Sequence, residues 1–82
     1  MKRVTLYTRV DCSLCDKAKV ALDRVRERIP FELEIIDIDS DPGLIKLYDW
    51  EVPVVMLDGR KVAKLTLDES MLERRLRKGE TP

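Results

Sequence analysis

Histidine is absent from this 82-residue chain. Without imidazole there is no Ser-His-Asp or Cys-His nucleophile, and no metal site that needs a histidine ligand. Asparagine and glutamine are absent too. With heavy use of Glu, Lys and Arg, that composition resembles thermophile proteins. Net charge is missing as well, since 16 Lys and Arg balance 16 Asp and Glu. Nucleic-acid binders carry a basic excess, so no nucleic-acid partner is expected. No apolar run approaches the ~18 residues of a membrane span, so no membrane partner is expected. Met1-Lys2-Arg3 leads directly into an alternating segment, so no signal peptide is read and the expected compartment is the cytoplasm. Cysteines number only two, too few for a four-thiolate zinc site within one chain. In the cytosol they stay reduced. The chemistry that remains must come from thiols, carboxylates, amines and backbone.

What is present suits one soluble globular domain over residues 1–82, read as a monomer: 44% of the residues are hydrophobic and 39% charged. Val4–Thr8 is β-branched and aromatic and reads as a strand. Leu14, Ala18, Ala21, Leu22, Val25 and Ile29 recur at helical spacing until Pro30. Phe31–Ile38 is a second strand. Asp37, Asp39 and Asp41 alternate, but without the glycine and distal glutamate of a calcium loop, so turn and capping roles are expected. Asp41-Pro42 predicts a short helix over 42–48. Val52–Leu57 reads as a strand with Pro53 at its start. Asp58-Gly59 predicts a hairpin to Lys61–Leu65. Thr66 and Glu69 form a capping box for a last helix, with Leu67, Met71, Leu72 and Leu76 inward and Gly79 as its stop. Arg74, Arg75, Arg77 and Lys78 complement that helix's C-terminus. The order β-α-β-α-β-β-α implies an α/β fold with a mixed four-stranded sheet flanked by helices.

Cys12-Ser13-Leu14-Cys15 is a C-x-x-C between a strand and a helix, the context of thiol–disulfide chemistry. Cys12 falls at the helix N-terminus, where free N–H groups and the helix dipole favour a thiolate. Cys15 lies one turn inside. Cys12 is therefore the expected nucleophile and Cys15 the resolving thiol. Two other readings stay open. A structural disulfide closing so short a loop stabilises by only roughly 2 kcal/mol. The two thiolates are alternatively half of a zinc or iron–sulfur site in a non-enzymatic carrier or binding module. Arg9, Lys17 and Lys19 favour a thiolate, while Asp11 and Asp16 oppose it.

The chain resembles a glutaredoxin-like protein of the thioredoxin fold. The residues that carry the likeness are Leu6-Tyr7-Thr8-Arg9, Cys12-Ser13-Leu14-Cys15-Asp16-Lys17-Ala18, Val52-Pro53-Val54 and Asp58-Gly59. The resemblance spans roughly residues 3–77. It implies a redox-active Cys12–Cys15 pair serving electron transport, and a cis-proline loop at Val52-Pro53. Val52 would offer its backbone to substrate as an added strand does, and Arg9 would meet a glutathione carboxylate. It implies no bound cofactor, glutathione or a thioredoxin-type system as reductant, and a disulfide-containing protein or glutathione as partner. The chain departs from the family pattern in two places. Ser13 and Leu14 replace the usual proline and aromatic residue between the cysteines. Ala63-Lys64-Leu65 stands where glutaredoxins carry a Gly-Gly pair that lets glutathione approach the backbone. Thr66 and Asp68 would still offer a helix N-terminus to a carboxylate. Trp50 either forms a wall beside the cysteines or, as the favoured reading, packs the short helix onto the sheet.

Overall fold

A computed structural model describes residues 1–78. The expected stop at Gly79 lies outside the described residues. Strand β1 (Arg3–Thr8) leads into helix α1 (Ser13–Arg28), then strand β2 (Glu32–Asp37). A 3-10 turn (Ile38–Ser40) and helix α2 (Pro42–Tyr48) follow. Strands β3 (Val54–Leu57) and β4 (Arg60–Lys64) form a hairpin, and helix α3 (Glu69–Lys78) ends the described chain. The four strands make one sheet in the order β2-β1-β3-β4. β1 runs parallel to β2 and antiparallel to β3, so it alone carries both kinds of ladder, while β3 is antiparallel to both neighbours.

Alternation along β1 sets the layers. Val4 and Leu6 are buried on one face, against Ala18, Leu22 and Val25 of α1 and Leu72 and Leu76 of α3. Tyr7 lies on the other face and stacks on Tyr48 of α2, with ring centroids 4.8 Å apart. α2 has no buried residue, so that aromatic pair is a main anchor for it. No described helix is long and apolar enough to cross a membrane.

Local chemistry explains most boundaries. Asp41 caps α2 by accepting from the Gly43 N–H at 2.8 Å, with Pro42 in the first helical position. Asp37 accepts from the Asp39 N–H at 2.9 Å, the turn role expected of it. Asp58 and Gly59 both take positive φ, 48° and 86°, as the two-residue hairpin turn requires. Three expectations need correction. β3 begins at Val54, not Val52, because Pro53 has no N–H to give the ladder. α3 is not capped by Thr66. Asp68 accepts from the N–H groups of Ser70 (2.9 Å) and Met71 (3.3 Å), and its carbonyl accepts the first helical bond from Leu72. Before it, Leu65 takes φ 68° with its N–H on the carbonyls of Pro53 and Glu51, and the Thr66 N–H turns back to the Lys64 carbonyl. Trp50 does not pack α2 onto the sheet. Tyr48 does, and Trp50 stands 88% exposed.

The hairpin turn is also an acid-sensitive point. The backbone N–H of Arg3, with Lys2 beside it, holds the Asp58 carboxyl below its ordinary 3.8. Bonds to Lys61 and to Arg28 likewise hold Glu51 and Glu73 below 4.5. A depressed folded pKa stabilises above the unfolded value and loses that contribution as pH falls through the folded one. Stability should therefore drop as pH falls from about 4.5 through the lowered values. In Asp58→Asn the turn keeps its acceptor and its tolerance of positive φ but loses the titrating charge. Urea unfolding should show a shallower acid limb in that variant than in wild type; equal slopes would exclude this role.

Candidate functional site

The carboxyl end of β1, the amino end of β3 and the N-terminus of α1 bring the candidate residues to one edge. Cys12 is the N-cap of α1, with extended backbone (φ −116°, ψ 107°). Its sulfur accepts from the Cys15 N–H at 3.2 Å, and its carbonyl accepts from the Asp16 N–H at 3.1 Å. A sulfur in this position sits on the positive end of the helix dipole and on one of its unpaired donors. Asp11, at φ 57°, turns the chain into that cap. Cys12 is half-buried, whereas Cys15 is 0% exposed on the inward face of α1. The two form a disulfide, with Cα atoms 5.2 Å apart. The pair is asymmetric, with one residue half-buried at the helix end and one fully buried a turn inside.

Val52-Pro53 is a cis peptide, with Pro53 buried and Val52 half-buried. The β1–β3 ladder ends where Tyr7 pairs with Val54, the residue after Pro53, and Thr8 follows Tyr7 at the end of β1. Thr8 is 5% exposed, and its Oγ1 is the one buried side-chain polar atom without a hydrogen-bond partner among the described residues. Leu65, held by Pro53, lines a crevice of about 150 Å³ with Leu14, Lys17, Ala18, Thr66 and Leu67.

Arg9 is engaged within the protein. Its Nε and Nη2 donate to Asp39 at 2.9–3.2 Å, and its Nη1 donates to the Asp49 carboxylate. Those bonds hold the guanidinium firmly protonated. They tie the β1–α1 loop to the 3-10 turn and to the end of α2. A substrate carboxylate approaching Arg9 would meet two carboxylates already in place. The N-terminus of α3 is similarly occupied by the Asp68 carboxylate, while Thr66 is exposed on the crevice. Sequence separations of 30 and 40 residues give no local signal for the partners of Arg9. Thr8 does leave one: a hydroxyl at an inward position of the β1 alternation. Among the described residues, no group of three or more His, Cys, Asp or Glu converges as a metal site.

A family model described as Glutaredoxin-like domain (DUF836) matches residues 3–77. The uncharacterized protein Rv0508 of Mycobacterium tuberculosis is 32% identical over 75 residues, covering 85% of this chain and 77% of that protein. The X-ray structure of target protein XcR50 from X. campestris is 34% identical with a TM-score of 0.77, covering 92% of this chain and 96% of that one. Chloroplastic thioredoxin z matches at 14% identity with a TM-score of 0.80, covering all of this chain and 80% of that one. At that identity the likeness shows the fold alone, which is the thioredoxin fold.

Proposed function

The chain belongs to the glutaredoxin-like domain family, and on that premise we propose that it is a thiol–disulfide oxidoreductase acting on protein or glutathione mixed disulfides. The observation that carries this reading is the asymmetry of the pair. Cys12 caps a helix with its sulfur on a backbone N–H and is only half-buried, and Cys15 is fully buried one turn below. In the reduced protein the Cys12 thiolate attacks one sulfur of the substrate disulfide. That S–S bond breaks, and the leaving thiolate takes a proton. Cys15 then gives up its proton and attacks the Cys12 sulfur, releasing the second substrate thiol. Two electrons have passed to the substrate, and Cys12–Cys15 is left as the disulfide. Glutathione or a thioredoxin-type system returns the electrons. Val52 supplies backbone groups beside the reacting sulfurs, and Pro53 sets their place. Arg9 acts as a brace for the surrounding loops.

Turnover in an insulin or mixed-disulfide reduction assay tests the reading, and an inactive wild-type protein would exclude it. Alkylation tests the division of labour. Iodoacetamide at pH 7 should label Cys12 of the reduced protein well before Cys15, because a buried thiol is both inaccessible and poorly ionised. Peptide mapping showing equal labelling would contradict the assigned roles.

A further inference from the structure

Leu65 is a leucine where the backbone favours glycine. Its φ of 68° lies in the left-handed region, which a bulky side chain rarely adopts. Its N–H is held by the carbonyls of Pro53 (2.9 Å) and Glu51 (3.2 Å). The core does not account for the side chain, because Leu65 is 43% exposed and stands outside the buried cluster. Leu14, between the two cysteines, is likewise 37% exposed and outside that cluster. Both leucines line the same crevice, with Ala18, Leu67, Lys17 and Thr66. Ala18 belongs to the core cluster and Leu67 packs against it, so the lining runs from the C-x-x-C motif into the core. A bulky residue held at positive φ, which neither backbone nor core accounts for, points to function.

We propose that this crevice is a subsite for one apolar side chain of a protein disulfide substrate, next to the cysteine that Cys12 attacks. Size, lining and charge select that occupant. The crevice holds about 150 Å³, and an apolar cavity of about that volume takes one benzene-sized group. That suits a single large side chain and is too small for a tripeptide. Four of the six lining residues are apolar, with Lys17 and Thr66 the polar members. Glutathione would bring carboxylates, and the groups that would receive them are engaged. Arg9 is held by Asp39 and Asp49, and the first N–H groups of α3 by Asp68. The inference rests on the oxidoreductase reading above and names its substrate class. The exchange itself is unchanged. The Cys12 and Cys15 thiols pass two electrons and two protons to the substrate disulfide, whose S–S bond breaks as the Cys12–Cys15 bond forms.

The test is a single-turnover reaction of the pre-reduced protein with three disulfides. Two are cyclic peptides, identical except for leucine or serine beside each cysteine; the third is glutathione disulfide. Each rate is divided by that of dithiothreitol with the same disulfide, which removes the intrinsic reactivity of the bond. Wild type should prefer the leucine peptide about tenfold or more over both others, as one apolar group in a pocket supplies. Leu65→Gly should bring the leucine-to-serine ratio to within about twofold. Glycine accepts the positive φ, so this variant keeps the fold, and a ratio taken within one variant cancels any general loss of activity. Leu65→Met refills the wall and should keep at least about half of the preference. A wild type that reduces both peptides equally, or a preference that survives Leu65→Gly, overturns this inference alone. So does a glutathione disulfide rate above that of the leucine peptide and lost in Lys17→Ala, since the crevice would then be a carboxylate site. A wild type that reduces no disulfide overturns the oxidoreductase reading together with this inference.

Discussion

Cys12→Ser should abolish disulfide reduction, and Cys15→Ser should convert turnover into trapping. The first expectation follows from position. Cys12 is the half-buried cysteine and its sulfur rests on the α1 N-terminus, whereas Cys15 is fully buried, so no second group can replace it. With no histidine in the chain, a serine hydroxyl there has no base to activate it. Loss of the nucleophile should lower the rate by roughly 10³-fold or more. Cys15→Ser leaves the first attack intact but removes the resolving thiol. Substrate should then accumulate as a mixed disulfide on Cys12, visible by mass and released by dithiothreitol. Full activity in both variants would contradict the assignment.

Phe31→Ala should bring the domain close to unfolding. Phe31 is 1% exposed and the largest fully buried side chain. It follows Pro30 and directly precedes β2, and it belongs to one buried cluster with Val4, Val25 and Leu76. The Arg26 guanidinium lies 5.8 Å from its ring centroid, which adds a cation–π attraction. Truncating a buried phenylalanine costs about 3–5 kcal/mol, against a total of about 5–15 kcal/mol for a small domain. The urea midpoint should fall by roughly 2 M at an ordinary slope. A loss below about 1.5 kcal/mol would mean that the site collapses around the alanine and is not a fixed part of the core.

Features coded over a few residues were legible in the sequence. Asp41-Pro42 marked α2, Asp58-Gly59 marked the hairpin, and the CxxC marked the strand–helix junction, because each acts through neighbouring backbone groups. Features settled between distant residues were not. Leu65 is pinned by the distant carbonyls of Glu51 and Pro53, and α3 starts later, under Asp68 rather than the expected Thr66. Trp50 has the size of a core residue, but Tyr48 had already taken the ring that α2 needed. Arg9 is a loop cation by sequence; only the fold brings Asp39 and Asp49 to it.

The central claim is that Cys12–Cys15 is a reversible couple and not a staple. Its reduction potential against glutathione tests that most directly. The thiol and disulfide forms should interconvert as one two-electron couple between about −120 and −300 mV, the span of redox-active pairs. A disulfide that resists reduction well below about −300 mV would be structural, and would contradict the account.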